Sequence, residues 1–420
     1  MPRARNYLPR IADRELADRL ESAGAVLLEG ARGCGKTETG RQAAASEVLL
    51  DVDRTAHEAL AVDPGLVLRG ETPRLIDEWQ LAPVLWNHVR RAVDERQASG
   101  QFILTGSAVP PDDATRHSGA GRFGRLRLRP MSLSELGHSN GAISLGALLD
   151  GETPAGTSAD LSVERLAEIL SVGGWPGHLR SSARAAMLAN RDYLEDVCRV
   201  DLERVDGVRR DPPRVRRFLQ SVARNVATCA SLATITRDAN GPDDHLKPPT
   251  ARGYLAALER LMVVEDQPPW TPWLRSRSRL RTSPKRHFVD PSLAVAALGA
   301  GPDRLLAEFE WFGFLFESMV IRDLRVYAQA ADGEVFHYRD NTGLEVDAIV
   351  EAAPDRWAGF EIKLGMGRVD EAAANLLRFA ERVDTDAVGR PAALGVIVGS
   401  GYGYRREDGI WVIPCGALGP

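Results

Sequence analysis

The sequence predicts an α/β protein in three parts, and three observations support this prediction. Near the N-terminus, a short apolar run enters a glycine-rich loop that is followed by a helical pattern. Successive amphipathic helical patterns fill the middle of the chain, and apolar strand patterns that flank one amphipathic helix fill the last part. We therefore expect domains at residues 1–150, 160–300 and 305–420, and the Gly-, Ser- and Ala-rich stretch 139–160 marks the first boundary.

The bulk composition limits the class of protein. With 420 residues, of which 44% are hydrophobic, the chain can form several buried cores. A net charge of −5 argues against a globally basic nucleic-acid-binding protein but leaves local basic patches open. The four cysteines lack metal-ligand or redox spacing, which predicts reduced thiols and a cytoplasmic location. No signal peptide and no membrane-spanning helix are expected, because no sufficiently long apolar run occurs.

The segment 30–37, GARGCGKT, has the complete G-x-x-x-x-G-K-[ST] pattern of a P-loop. Its glycines let backbone N–H groups approach a phosphate, and the N-terminus of the following helix extends this anion site. Lys36 is expected to reach the β- and γ-phosphates, and Thr37 is expected to ligate Mg²⁺. The alternative is a glycine-rich turn with no ligand. The residues predicted to bind ATP are Gly30, Ala31, Arg32, Gly33, Cys34, Gly35, Lys36, Thr37 and Glu38.

Two later strand ends supply candidates for hydrolysis. An apolar pair leads into Asp77 and Glu78, where the first acid can hold Mg²⁺ and the second can orient or deprotonate water. The next buried strand ends near Thr105 and Ser107, which are candidate sensors of the γ-phosphate. Arg122 is a candidate for stabilising transition-state charge, in cis or across an interface, and the alternative is a solvated basic strand face.

The middle region contains helical patterns at 213–230, 231–240 and 250–261 and a short strand pattern at 262–265, an order that resembles a winged helix-turn-helix. The segment 268–288 then carries six cations and no carboxylate, so we expect it to run along DNA phosphates. The alternatives are a basic surface loop or a loop that docks on acidic faces of the same chain. The six cations are Arg275, Arg277, Arg279, Arg281, Lys285 and Arg286.

A second set of acids occurs near the C-terminus. Asp347 lies in one strand pattern, and Glu361-x-Lys363 lies in the next, which is the spacing of restriction-endonuclease-like cores. Period-2 alternation places Glu361 and Lys363 on one face of their strand, and a hairpin brings Asp347 beside them. The two carboxylates can bind Mg²⁺, the lysine can orient water, and Glu317 on the preceding apolar helix can add a ligand. Such a core is alternatively a binding platform without cleavage.

Taken together, these motifs resemble those of the bacterial and archaeal AAA-type ATPases that carry a C-terminal domain of unknown function with an endonuclease-like core. The resemblance spans nearly the whole chain. Its markers are Tyr7-Leu8-x-Arg10, Gly30–Thr37, Leu75–Gln80, Leu104–Ser107, Gly121-Arg122, Pro130-x-Ser132-x-x-Glu135-Leu136, Gly173-Gly174-Trp175-Pro176, Lys285–Leu293, Val346-Asp347 and Glu361-Ile362-Lys363.

This resemblance implies ATP binding by an AAA-type domain, with phosphate and Mg²⁺ contacts in the P-loop and hydrolysis at Asp77 and Glu78. It also leads us to expect an exposed Cys34 thiol near the phosphates. It implies no established task for the second half of the chain. Our leading hypothesis is Mg²⁺-dependent ATP hydrolysis coupled to DNA binding, with DNA cleavage at Asp347, Glu361 and Lys363. The alternative is an ATP-driven regulatory switch that recruits a protein partner through an inactive nuclease-like domain. Either activity is compatible with a homo-oligomer.

Overall fold

The computed structural model of the protein describes residues 7–107, 119–154, 156–159, 161–241, 245–271 and 283–420. The strands are β1 (Ala25–Glu29), β2 (Ser46–Leu49), β3 (Arg74–Asp77), β4 (Phe102–Gly106), β5 (Phe123–Arg127), β6 (Ile143–Ser144), β7 (Thr157–Ala159), β8 (Val264–Gln267), β9 (Lys285–Phe288), β10 (Glu334–Arg339), β11 (Glu345–Ala353), β12 (Arg356–Lys363), β13 (Ala393–Val398), β14 (Gly401–Arg405), β15 (Trp411–Pro414) and β16 (Leu418–Gly419).

The helices are α1 (Ala12–Ser22), α2 (Lys36–Ala43), α3 (Arg54–Val62), α4 (Leu85–Arg96), α5 (Leu145–Leu149), α6 (Val163–Val172), α7 (Ala183–Asp196), α8 (Leu202–Asp206), α9 (Pro212–Arg224), α10 (Leu232–Asp238), α11 (Pro248–Arg260), α12 (Pro291–Ala297), α13 (Pro302–Ala307), α14 (Phe309–Gln329), α15 (Val369–Ala380) and α16 (Thr385–Val388). No helix in this described part of the chain has the length and apolar content needed to cross a membrane.

The chain divides into two compact units. The first comprises Met1–Pro130, Asp201–Arg209 and Ala257–Met262, and the second comprises Met131–Val200, Arg210–Ala256 and Val263–Pro420. In the second unit, α12 and α13 of the middle region pack against α14, which also packs against β10, β11 and β12. This shared helix explains why one unit contains segments that the sequence assigned to two predicted domains.

A parallel five-stranded sheet forms the centre of the first unit. Its strand order is β2-β3-β4-β1-β5. Residues in the middle of β1, β3 and β4 are buried, as is usual for parallel strands with both faces covered. Gly40 lets α2 lie close to the sheet, because a Cβ at this position would be 2.9 Å from Leu75 Cδ1. The order places β4 between β1 and β3, so the carboxyl ends of these three strands adjoin at one edge.

A mixed seven-stranded sheet forms the centre of the second unit. Its strand order is β10-β11-β12-β13-β15-β14-β7. The first three strands pair antiparallel, whereas β12, β13 and β15 pair parallel. Helix α15 connects β12 to β13 and packs against both strands. Its buried residues, including Leu376 and Phe379, join a core with Trp357 and Trp270.

The middle segment forms three helices and then a strand in the order that the sequence predicts, and a second strand, β9, lies within the segment that was predicted as a basic loop. Helices α9, α10 and α11 precede β8 and β9, which pair antiparallel from Val264↔Phe288 to Gln267↔Lys285. A π-helix at Val197–Asp201 separates α7 from α8. Strand β14 was not predicted because three of its five side chains are exposed, leaving no apolar pattern to read.

Candidate functional site

The P-loop occupies the connection between β1 and α2. Gly33 and Gly35 have φ values of 80° and 105°, which glycine adopts without steric cost. The Lys36 ammonium group donates hydrogen bonds to the carbonyl oxygens of Gly30 and Ala31, at 2.9 and 3.0 Å. Lys36 is therefore held inside the curve of the loop, at the start of a helix whose N-terminus attracts anions.

The Cys34 side chain points into the protein interior. Its thiol is fully buried and lies 3.5 Å from the carbonyl oxygen of Leu128. A Cβ on Gly30 would lie 2.2 Å from that same oxygen, so the loop and the segment after β5 are in close backbone contact. The prediction of an exposed thiol near the phosphates is therefore wrong, because the small side chain fills the space beneath the loop.

Arg10 binds the backbone of the P-loop at Cys34. Its buried guanidinium group donates to the carbonyl oxygen of Cys34 at 2.9 Å and to that of Arg129 at 2.7 Å. In a trans peptide the C=O and the following N–H point in opposite directions. The N–H of Gly35 is therefore directed away from Arg10. Sequence reasoning noted Arg10 only as a marker of the resemblance and assigned it no role.

Replacing Arg10 by Ala is expected to weaken ATP binding about tenfold, since losing charged hydrogen bonds of about 1.5–3 kcal/mol frees the loop to adopt other conformations. Titration with a fluorescent ATP analogue would measure the change. Arg14→Ala, an exposed substitution on α1, is the matched control and should bind as the wild type does. Equal affinities for Arg10→Ala and Arg14→Ala would show that the guanidinium does not shape the loop.

Asp77 accepts hydrogen bonds from two hydroxyl groups on neighbouring elements. Its Oδ1 accepts a hydrogen bond from Thr37 Oγ1 at 2.9 Å and a second one from the Thr105 hydroxyl. Asp77 ends β3 and Thr105 lies near the end of the adjacent β4, so the strand order brings these groups together. Hydroxyl and carboxylate oxygens are the hard donors that Mg²⁺ prefers, and this donor set fits the ion.

Glu78 lies directly beyond this carboxylate. It adopts a left-handed backbone conformation, with φ 54° and ψ 43°. Its Oε2 accepts hydrogen bonds from Ser107 Oγ at 3.2 Å and from the Gln80 side-chain amide. The structure thus brings Glu78 and Ser107 together, at the edge of the sheet where ligands bind in open parallel folds.

Three other residues that the sequence predicted for this site, Arg122, Arg32 and Glu38, form ion pairs with other side chains of the first unit. Arg122 donates to Asp94 Oδ1 at 2.8 Å and precedes β5, opposite Ala25 at the start of β1. Because the P-loop follows the other end of β1, Arg122 is not brought to it within the chain. The Arg32 side chain is largely exposed, and its Nη1 lies 3.7 Å from Asp201 Oδ2. The Glu38 side chain accepts a hydrogen bond from Arg41.

A second cluster lies on β11 and β12 of the second unit. Lys363 Nζ donates to Asp347 Oδ2 at 3.0 Å and to Glu361 Oε2 at 2.5 Å. The backbone N–H of Ile362 also donates to Asp347 Oδ2, at 3.0 Å. The structure thus brings together the three residues that the sequence paired by spacing, and the antiparallel register of β11 and β12 is the reason.

Lys285 also belongs to this cluster, whereas the sequence predicted that it contacts DNA phosphates. Its Nζ donates to Glu317 Oε1 at 2.6 Å and to Asp347 Oδ1 at 3.0 Å. The neighbouring Arg286 is also buried and donates to Asp266 Oδ1 at 2.9 Å. The prediction that Lys285 and Arg286 contact DNA phosphates is therefore wrong, and the alternative of docking on acids of the same chain describes both. The other four cations, Arg275, Arg277, Arg279 and Arg281, lie outside the described residues.

Asn375 on α15 is a further member that sequence reasoning missed. Its side-chain amide donates to Glu361 Oε1 and to the carbonyl oxygen of Glu345, both at 2.6 Å. The only available signal was its position on the helix that follows the strand of Glu361. Asn375 fixes the orientation of the glutamate from the side opposite to the lysine.

Burial and the two ammonium groups set the ionisation of this cluster. Burial, reinforced by the neighbouring Asp347, raises the pKa of Glu361 to about 8. Burial also raises the pKa of Glu317 to about 7. Burial opposes ionisation of Asp347 as well, but Lys285 and Lys363 outweigh it and hold the pKa of Asp347 well below its usual range. Although burial alone would lower it, the carboxylates raise the pKa of Lys285, so this lysine is an ammonium at neutral pH.

Three family models match three successive parts of the chain. Residues 22–137 match an AAA domain, residues 163–304 match a domain of unknown function (DUF8612), and residues 312–418 match another domain of unknown function (DUF4143). The first match, together with the geometry above, supports an AAA-type P-loop ATPase domain in the N-terminal part. No curated protein matches the chain.

Two solved structures show a distant likeness. A Walker-type ATPase of Pyrococcus abyssi is 15% identical over 70% of this chain and 97% of its own, with a TM-score of 0.45. AMPPCP-bound DnaA from Aquifex aeolicus is 15% identical over 59% of this chain and 86% of its own, with a TM-score of 0.28.

Proposed function

We propose that the first unit binds ATP with Mg²⁺ and hydrolyses it. The observation that carries this proposal is the convergence of Thr37 and Thr105 on one oxygen of Asp77, beside Glu78 and next to a complete P-loop. A glycine-rich turn without a ligand would not require two hydroxyl groups to meet a buried acid at the carboxyl edge of the sheet. The AAA domain match over residues 22–137 supports the same function.

Each residue has a definite part in this proposal. The loop N–H groups and Lys36 bind the phosphates, and Lys36 exchanges its hydrogen bonds to loop carbonyls for bonds to phosphate oxygens. Thr37 and Asp77 would hold Mg²⁺, which neutralises phosphate charge when bound. Glu78 orients the attacking water, while Ser107 positions the Glu78 carboxylate. Thr105 holds Asp77 in place from the adjacent strand.

The direct test is ATP hydrolysis by the full chain, measured by phosphate release with and without Mg²⁺. We expect turnover that requires the ion and is lost in Asp77→Asn. Thr236→Val, a buried hydroxyl substitution in the second unit, is a control that should keep the rate. A wild-type protein that neither binds nor hydrolyses ATP would refute the proposal.

For the second unit we propose a nuclease-like core that acts as a binding platform and does not cleave. The order α14, β10, β11, β12, α15, β13 supports an endonuclease-like core, and the helices and strand pair before it support a winged-helix arrangement. The observation that favours a platform over a nuclease is that Lys285, a lysine outside the motif, donates hydrogen bonds to both Glu317 and Asp347. The chain would then be an ATP-driven regulatory switch.

Adding DNA to the ATPase assay distinguishes the switch from a DNA-coupled enzyme. A hydrolysis rate that is indifferent to single- and double-stranded DNA is expected for a switch that recruits a protein. Stimulation by DNA would instead restore the hypothesis in which ATP hydrolysis is coupled to DNA binding, with contacts made by the arginines at 275–281. Plasmid nicking that Asp347→Ala abolishes would refute the platform.

A further inference from the structure

We propose that Lys285 is a built-in cation that occupies the place of a divalent metal ion between Glu317 and Asp347, so that the core of the second unit is complete without metal. This inference concerns only the second unit and is independent of ATP hydrolysis by the first. It deepens the proposed platform by stating why the nuclease-like cluster does not take up Mg²⁺.

The geometry of the ammonium group carries the inference. Lys285 Nζ lies 2.6 Å from Glu317 Oε1 and 3.0 Å from Asp347 Oδ1, and so it bridges two carboxylates from different elements. The side chains of Lys285 and Glu317 are only 5% and 9% exposed. A metal ion bound to these two oxygens would need the space that the ammonium fills. In the part of the chain that the structure describes, no group of three or more His, Cys, Asp or Glu side chains is arranged to hold a metal ion.

Lys285 supplies one of the two ammonium groups that offset the negative charge of the cluster. Three carboxylates, those of Glu317, Asp347 and Glu361, face the ammonium groups of Lys285 and Lys363. Removing Lys285 would leave the buried Glu317 carboxylate without its ammonium partner, which is the situation that attracts a hard cation.

Strand β9 anchors Lys285, so the ammonium is a fixed part of the core. Lys285 pairs with Gln267 of β8 in the sheet register, and the Gln267 side-chain amide donates to the carbonyl oxygen of Asp347 at 2.9 Å. His287, two residues on, is buried between Ser318 and the same glutamine, at 3.1 and 3.0 Å. These contacts connect β9 to the helix and the strand that supply the two carboxylates.

Substitutions at position 285 test the inference directly. Lys285→Ala opens space for an ion with its water, whereas Lys285→Met removes the charge but keeps the volume. All variants carry Asp77→Asn, so that the P-loop does not contribute a metal site. We expect Mn²⁺ to raise the melting temperature of nucleotide-free Lys285→Ala and to leave that of Lys285→Met and of the Lys285 parent unchanged. Isothermal titration with Mn²⁺ should show one site in Lys285→Ala alone.

Two further variants keep the test decisive. Lys285→Ala with Asp347→Asn should lose the Mn²⁺ response, because one of the two ligands has gone. Lys285→Ala with Glu317→Ala should be more stable in metal-free buffer than Lys285→Ala, even if the single variant is unfolded, because the unpaired charge is removed. The inference is overturned if this double variant is no more stable, or if folded Lys285→Ala binds no Mn²⁺. It is also overturned if the parent chain binds Mn²⁺ in a way that Asp347→Asn abolishes.

Discussion

Glu78→Gln is expected to reduce ATP hydrolysis by about 10²–10⁴-fold while ATP affinity stays close to that of the wild type. The amide keeps the size of the side chain and can still contact Ser107, but it cannot accept a proton from the attacking water. Glu78 accepts hydrogen bonds from Ser107 and Gln80, and no hydrogen bond or ion pair joins it to the P-loop among the described residues, so binding should be spared. Single-turnover hydrolysis and equilibrium nucleotide binding would be measured on the same samples.

Lys36→Ala is the matched comparison, because it removes the group to which we assign phosphate binding. We expect this variant to lose both binding and hydrolysis, which is a different signature from that of Glu78→Gln. A Glu78→Gln variant that hydrolyses ATP at the wild-type rate would show that another residue orients the water. A variant that loses binding as well would show that Glu78 supports the shape of the site.

Arg322→Met is expected to destabilise the second unit by about 3–5 kcal/mol, because it leaves two buried carboxylates without their cation. Arg322 Nη1 donates to Asp290 Oδ2 and Nη2 donates to Asp323 Oδ1, both at 2.7 Å. The arginine is 2% exposed and Asp290 is fully buried. The same Asp290 oxygen accepts the N–H of Gly174 at 2.9 Å, so the substitution also loosens the Gly173-Gly174-Trp175-Pro176 turn.

Urea unfolding monitored by tryptophan fluorescence would measure this loss of stability. Arg304→Met is the control, because the Arg304–Glu308 pair lies on an exposed helix surface and such pairs contribute at most about 1 kcal/mol. If Arg322→Met and Arg304→Met unfold at the same urea concentration, the buried contacts of Arg322 with Asp290 and Asp323 do not stabilise the second unit.

Sequence reasoning worked best where the chemistry is local. The P-loop is one continuous segment, and its glycines, lysine and threonine are functional only at that spacing, so Gly30–Thr37 could be identified without a fold. Asp77 and Thr105 are 28 residues apart, and their contact depends on β4 lying between β1 and β3. The sequence could nominate both residues but could not show that they share one oxygen.

Long-range partners explain what the sequence could not reveal about Lys285. Its two carboxylates lie 32 and 62 residues away, and nothing within the segment 268–288 distinguishes this lysine from the arginines before it. Composition therefore predicted an exposed cation, and tertiary pairing placed it in the core. Arg122 shows the same limit. It lies just before β5, whose parallel pairing with β1 places Arg122 beside the start of β1, and the P-loop follows the end of β1.

The left-handed backbone of Glu78 has a consequence for engineering the first unit. A residue with a Cβ loses about 1–2 kcal/mol in this conformation, and glycine would avoid that loss. A design procedure that optimises thermostability alone would therefore replace the acid that we propose orients the attacking water, and under that proposal the more stable domain would lose ATP hydrolysis. Under this proposal, stability and hydrolysis make opposite demands on position 78.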